Sequence, residues 1–197
     1  MSREFEAQPS FADQVAEATG LAPVFASGVI ERCCKRAHVL VSYHGGREYS
    51  DVPAQEPLDV AKAVMAAGAD AMLGHHPHVP QGIGWFGDRP AIYSLGNLVF
   101  GKYRDDEWTA RSFVARLTFG ADRRIELAAC PYIIDGGVPK LAAGSGWSGW
   151  ETAFRAYLRR SSSYASIAGT EVGSPDELGC LPVHPGLHVL DGRRSPR

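Results

Sequence analysis

The spacing of apolar and polar residues predicts a strand–helix–strand unit in the first half of the chain. Residues 39–43 (Val-Leu-Val-Ser-Tyr) form a short apolar run that is typical of a buried strand. Residues 58–67 place apolar side chains at helical spacing, and Gly68 follows as a stop signal. Residues 69–73 form a second apolar run. A strand, a helix and a strand joined by short links form a right-handed βαβ unit, so we expect the two strands to be parallel neighbours or near neighbours.

Beyond residue 80 the pattern becomes more antiparallel. The pattern predicts a hairpin at 81–95 with its turn at 87–90. It then predicts alternating strands at 112–119 and 125–134 and a final amphipathic helix at 150–160. The serine run 161–163 and the Gly/Pro-rich residues after it are expected to be loop or poorly ordered. The chain is therefore predicted to be an α/β protein, with a parallel βαβ unit, more antiparallel strands and a C-terminal helix.

Earlier residues complete the predicted organisation. Helical spacing occurs at 10–19 and 28–37. We divide the chain into a helical lead-in (1–27), one domain (28–160) and a Ser/Gly/Pro-rich tail (161–197).

Composition narrows the functional classes. The chain has 197 residues, 45% of them apolar, and a formal charge of −2, without the basic stripe of a nucleic-acid-binding protein. No apolar run approaches the roughly 20 residues that span a bilayer, and the polar N-terminus does not resemble a secretory signal, so a cytoplasmic location is expected. The four cysteines include no CxxC pair, which predicts neither a disulfide framework nor a thiolate zinc site.

Three histidines follow the second apolar run within four positions. They are His75, His76 and His78, in the segment Gly-His-His-Pro-His-Val-Pro-Gln at 74–81. In an extended or turning backbone residues two apart point to one side, so His76 and His78 can aim at one locus or at two adjacent ions, and Pro77 restricts the backbone between them. Imidazole suits transition metals, here Mn, Fe or Zn. The alternative is a polar loop that happens to be rich in histidine.

A fourth histidine, His44, follows the first predicted strand and precedes two glycines. In a parallel βαβ unit it emerges at the same carboxyl edge as the histidine cluster, which is where open α/β sheets bind ligands. We therefore select His44, His76 and His78 as metal ligands. A capping or solvated role for His44 stays open, and His75 competes with His76 as a ligand or as a group that orients one.

Two further residues are candidates for supporting roles. Glu48 lies four residues beyond His44 and is suited to orient an imidazole or to bind metal, although a solvated loop carboxylate is an equal alternative. Asn97 follows an apolar strand, where it can brace the histidine loop or bind a ligand, or simply be a turn residue.

Several motifs in register make the chain resemble the bacterial CapA family of poly-γ-glutamate capsule biosynthesis proteins. The matching segments are 41–49 (Val-Ser-Tyr-His-Gly-Gly-Arg-Glu-Tyr), Gln55, 67–70 (Ala-Gly-Ala-Asp), 74–81 and 93–100 (Tyr-Ser-Leu-Gly-Asn-Leu-Val-Phe). The resemblance covers roughly residues 28–135. Gly45 departs from it, because the family usually has tryptophan there.

The resemblance implies a sandwich like that of the calcineurin-like metallophosphoesterases and a metal-dependent hydrolase associated with capsule synthesis. It places His44 and His76 on one metal and His78 on a neighbouring metal. The family's Asp-rich and Asn-His segments have no counterpart before His44, so the chain resembles a C-terminal portion of the family. An anionic polymer or phosphoester is then the expected substrate.

The missing carboxylates support an alternative from another functional class. The chain is then a non-catalytic, truncated or degenerate module that binds a polymer or an assembly partner. Loss of early strands is expected to leave an open sheet edge at 39–43 or its neighbour, which a partner chain would cover.

Overall fold

The computed structural model describes residues 37–100, 107–122, 124–141, 148–164 and 169–186. In chain order its elements are β1 (Leu40–His44), α1 (Gln55–Ala66), β2 (Ala71–His75), β3 (Ile83–Phe86), β4 (Arg89–Ile92), a 3-10 turn (Glu107–Thr109), β5 (Arg111–Phe119), β6 (Ile125–Asp135), β7 (Val138–Leu141), α2 (Ser148–Ser163), β8 (Thr170–Val172) and β9 (Leu181–Pro185). The described residues do not include the helix predicted at 10–19. Of the helix predicted at 28–37 they include only residue 37.

The first sheet has the strand order β1-β2-β4-β3. Strands β1 and β2 are parallel neighbours, as the βαβ pattern predicts, and His44 lies beside His75 in their register. Strands β3 and β4 form the predicted hairpin, and β4 runs parallel to β2. Gly68 ends α1 with a φ of 100°, a conformation that costs glycine little. The mixed α/β class predicted from the sequence is therefore confirmed.

Strand β1 differs from its prediction in burial. Leu40, Ser42 and His44 are exposed and Val41 and Tyr43 are half-buried, so β1 is not the fully buried strand that its apolar run suggested. Within the described residues β1 pairs only with β2. An apolar run alone does not distinguish a central strand from one at the edge of a sheet.

The second sheet is antiparallel and packs against the first. Its strands follow the order β5-β6-β9-β8, with β7 also paired to β6. One hydrophobic cluster joins Ile83 and Ile92 of the first sheet to Phe113 and Leu127 of the second and to Phe154 of α2. The other face of the first sheet packs on α1 through a separate cluster of buried residues that includes Val60, Val64, Met65, Met72, Ala91 and Tyr93. The first sheet is therefore covered on both faces.

The serine run is helical, which corrects the prediction of a loop. Helix α2 continues to Ser163, and Ser161 and Ser162 are fully buried. A Cβ at Gly82 would overlap the backbone of these serines, so the hairpin and the helix approach closely at this point. Ser162 also accepts a hydrogen bond from the backbone N–H of Ile83 at 2.9 Å. Small polar residues are therefore required here by packing rather than by a turn.

The residues after α2 also contribute to the core, where the sequence suggested only loop. Strands β8 and β9 pair with each other, and β9 pairs with β6. A disulfide joins Cys130 of β6 to Cys180, the residue before β9. The cysteine spacing did not predict this disulfide, because its two cysteines are 50 residues apart and meet only through the sheet.

Candidate metal centre

The loops that follow β1 and β2 run side by side at the carboxyl edge of the first sheet. Their backbones are joined by two hydrogen bonds, from Gly45 N–H to His75 O at 3.1 Å and from Tyr49 N–H to Pro77 O at 2.8 Å. The parallel register already places His44 next to His75 at this edge. The predicted meeting of the two histidine segments is therefore what the structure contains.

Glu48, His76 and His78 form the tightest group of metal-binding side chains among the described residues. One ligand atom from each lies within 4.8 Å of the other two. The Glu48 carboxylate oxygen Oε1 is 3.9 Å from Nε2 of His76 and 4.0 Å from Nε2 of His78. The three side chains are 47%, 31% and 23% exposed respectively, so the group is open to solvent and to a ligand.

The backbone around this group is strained. His76, His78 and Tyr49 have φ values of 103°, 62° and 56°, a region that residues with a Cβ seldom adopt. Such conformations cost on the order of 1–3 kcal/mol each and concentrate at functional sites. The two histidines thus reach Glu48 through a tight turn rather than an extended backbone.

The imidazole of His78 has aromatic rings near it and a hydrogen bond on its Nδ1. The Tyr49 ring is stacked at 5.6 Å between centroids, and the Phe100 ring is tilted at 5.5 Å. The Oδ1 atom of Asn97 lies 2.9 Å from His78 Nδ1. Asn97 is buried, and this contact links it to the histidine loop.

His44 and His75 flank the group on its sheet side. The ring of His44 lies 5.1 Å from that of His76, and the His76 and His78 rings are 5.9 Å apart. Burial, followed by the nearby His44, lowers the pKa of His75, which favours a neutral imidazole. The division of His44 and His76 to one metal and His78 to another stays a prediction, since the closest grouping joins His76 to His78.

The role of Glu48 is clearer in the structure than in the sequence. Its carboxylate lies within 4.8 Å of the imidazole nitrogens of His76 and His78, whereas the sequence left a solvated loop carboxylate as an equal alternative. The sequence feature that indicated a position near the histidines is the place of Glu48 in the loop after β1. A loop at this edge of the sheet can fold back over the neighbouring strand. Only loop geometry, which a single sequence does not specify, decides this.

The donor set fits a divalent transition metal. Two imidazoles and one carboxylate form the His₂Glu type that binds catalytic zinc and leaves a coordination position open. Tetrahedral ligands on such an ion are roughly 3.4 Å apart, so the observed separations require each side chain to move by about 1 Å or less. Asp70, the residue before β2, is occupied elsewhere, because its carboxylate accepts a hydrogen bond from Val39 N–H.

Comparison with known proteins identifies the part of the chain that carries this site. Residues 7–102 match the family model described as "Bacterial capsule synthesis protein PGA_cap". Over 71 residues the chain is 44% identical to the "Capsule biosynthesis protein CapA" of Bacillus anthracis and 42% identical to the "PGA biosynthesis protein CapA" of Bacillus subtilis (strain 168). This part of the chain is similar to the CapA family.

The match to CapA proteins is partial on both sides. The aligned residues are 36% of this chain but 16% and 18% of the two relatives, so the chain spans less than a fifth of their length. Glu48, His76, His78 and Asn97 all fall inside the family-matched segment 7–102. Among the described residues no helix is long and apolar enough to cross a membrane.

Proposed function

We propose that the chain is a portion of a CapA-type capsule biosynthesis protein, and that it carries a metal-dependent hydrolase site of the phosphoesterase type. The family match supports the capsule context. The observation that carries the hydrolase proposal is the convergence of Glu48, His76 and His78 within 4.8 Å at the carboxyl edge of a parallel sheet.

The chain's own residues have separate tasks in this proposal. Glu48, His76 and His78 hold the ion, with Mn, Fe and Zn as the candidates. His44 and His75 line the same edge, where His44 is close enough to His76 to contribute to a second ion. An ion held in this way polarises a phosphoryl oxygen and lowers the pKa of water. The substrate class is an anionic polymer or a phosphoester.

Metal binding is the first test. Titration of the metal-free protein with Zn²⁺ by calorimetry is expected to show at least one ion per chain. Glu48→Gln keeps the size of the side chain but removes its charge, and is expected to weaken binding by more than about 100-fold, the upper range for losing a group that only supports a ligand. Glu126→Gln, an exposed carboxylate on β6 of the other sheet, is the matched control and is expected to have no effect.

Catalysis is tested separately on the metal-loaded protein. Hydrolysis of a generic aryl phosphate is expected to require added metal and to fall to background in Glu48→Gln and His76→Ala. Turnover that persists after metal removal and in both variants would contradict the hydrolase proposal.

The second candidate function is a non-catalytic module that binds a polymer or an assembly partner. Two observations favour it: β1 pairs only with β2 among the described residues, and Leu98 and Val99 beside the site are 55% and 67% exposed. A partner strand or an apolar surface would cover such features. Stoichiometric metal without any turnover would support this function, and metal-dependent turnover would rule it out.

A further inference from the structure

Asn97 lies at the junction of the two sheets, beside the candidate metal centre. It is 7% exposed and follows the bridge between Pro80 and Leu95. Its side chain makes two hydrogen bonds, one to the carbonyl oxygen of Thr109 and one to the imidazole of His78. It is therefore a link between the antiparallel half and the histidine loop.

The contact with Thr109 fixes the orientation of the Asn97 amide. A backbone carbonyl oxygen only accepts hydrogen bonds, so the atom 3.0 Å from Thr109 O must be the Nδ2 donor. The opposite atom, which faces His78 at 2.9 Å, is then the Oδ1 acceptor. A flipped amide would place two acceptors against each other at Thr109.

The amide orientation in turn fixes the protonation of the imidazole. Because Oδ1 only accepts, Nδ1 of His78 must carry the proton, and in the neutral ring Nε2 is left with its lone pair. Nε2 is the atom that faces Glu48 at 4.0 Å. We propose that Asn97 is a positioning residue that holds His78 in the Nδ1–H tautomer and so presents Nε2 to a metal.

The support for Asn97 comes from the antiparallel half of the molecule. Thr109 ends the 3-10 turn before β5, and the hydroxyl of Tyr132 on β6 donates to the backbone oxygen of Asn97. Both lie outside the family-matched segment 7–102. The antiparallel half therefore sets the state of a ligand that it does not itself supply.

Nuclear magnetic resonance of the metal-free protein tests the tautomer directly. Long-range ¹H–¹⁵N correlations separate the protonated from the bare nitrogen of each imidazole, and the His78 signals are those lost in His78→Gln. Wild type, measured where the ring is neutral, is expected to show a protonated Nδ1 and a bare Nε2. A bare Nδ1, or an averaged mixture of the two tautomers, would overturn the proposal.

Three variants separate positioning from general support. Asn97→Leu removes the acceptor and is expected to give mixed tautomers. Asn97→Asp loses the donor to Thr109 O but keeps an oxygen toward Nδ1, and is expected to keep Nδ1 protonated. Tyr132→Phe is the matched control, because it loosens the same segment without touching the amide, and should leave the tautomer unchanged. If Asn97→Leu does not fold, the wild-type and Asn97→Asp spectra still decide the question.

The consequence for metal binding rests on the proposed function, while the tautomer does not. Asn97→Leu is expected to weaken Zn²⁺ binding by about 10–100-fold, the usual effect of removing a group that orients a histidine ligand. Tyr132→Phe is expected to change it by less than about 3-fold. Failure of wild type to bind metal would sink the proposed function, whereas an unchanged tautomer and affinity in Asn97→Leu would sink the role of Asn97.

Discussion

The two halves of the molecule differ in what their residues do. Every candidate ligand among the described residues lies in the parallel half, 37–100, together with the three non-glycine residues at positive φ, Tyr49, His76 and His78. The antiparallel half, 107–186 where described, holds most of the larger hydrophobic cluster and the Cys130–Cys180 disulfide. The candidate metal ligands and the strained backbone are concentrated in one half, and most of the hydrophobic core lies in the other.

The difference indicates that the strained loops depend on polar contacts from the packed half. Besides Thr109 and Tyr132, Tyr157 of α2 donates a hydrogen bond to the backbone oxygen of Pro80, just after the histidine loop. At the start of β3, the backbone N–H of Ile83 donates a hydrogen bond to Ser162 Oγ of the same helix. Buried polar contacts of this kind specify one arrangement, because breaking one leaves an unsatisfied group.

Removing the disulfide of the antiparallel half should produce the largest loss of stability and leave the candidate metal centre intact. Cys130→Ser with Cys180→Ser is expected to lower the free energy of unfolding by about 2–4 kcal/mol, because the unfolded chain is then less restricted. Urea unfolding followed by fluorescence measures this. In the folded double variant the Zn²⁺ affinity is expected to stay within about 3-fold of wild type.

Reduction of the wild type provides the control for this prediction. A reductant should destabilise wild type to the level of the double variant and leave the variant unaffected. A wild type whose free energy of unfolding does not change on reduction would contradict the prediction.

Ser162→Ala tests the contact between α2 and the hairpin. It leaves the buried N–H of Ile83 without its acceptor and should cost about 1–3 kcal/mol of stability. Ser163→Ala, one residue further on and exposed, is the matched control and should change stability by less than about 0.5 kcal/mol. Equal effects of the two variants would mean that the halves are not coupled through this serine.

His76→Gly sharpens the contrast between strain and packing, with the smallest expected effect on stability. Glycine adopts the φ of 103° at this position without strain. The relief of strain is expected to exceed the cost of glycine's greater freedom in the unfolded chain, so the free energy of unfolding should rise by about 1 kcal/mol. Metal binding should be lost with the imidazole. His184→Gly, at an exposed position of β9, should instead lower the free energy of unfolding by about 0.5–1 kcal/mol. Thermal unfolding of both variants distinguishes a strained ligand from an ordinary surface histidine.

Much of the first sheet could be predicted because its signals are local. Two apolar runs flank a helix that ends at Gly68, and the crossover rule then brings His44 next to the histidine cluster. The signals that failed depend on partners distant in the chain. The serine run at 161–163 resembles a loop in sequence, but its small side chains are needed where Gly82 approaches the helix closely. The pairing of Cys130 with Cys180 depends on the register of β6 and β9.

The site itself was predictable in its histidines but not in its geometry. A strand-end cluster identifies His76 and His78, yet the turn that aims them at Glu48 requires positive φ values that no local pattern predicts. The role of Asn97 also depends on Thr109, twelve residues later in the chain. Long-range backbone contacts therefore decide which candidate residues act together.

The X-ray absorption spectrum at the zinc edge of the Zn²⁺-loaded protein tests the central claim most directly. We predict two imidazole nitrogens and carboxylate or water oxygens at about 2.0–2.2 Å, with one imidazole lost in His78→Gln and the oxygen shell altered in Glu48→Gln. Sulfur ligands at about 2.3 Å, or a spectrum that is the same in all three proteins, would show that Glu48, His76 and His78 do not hold the metal.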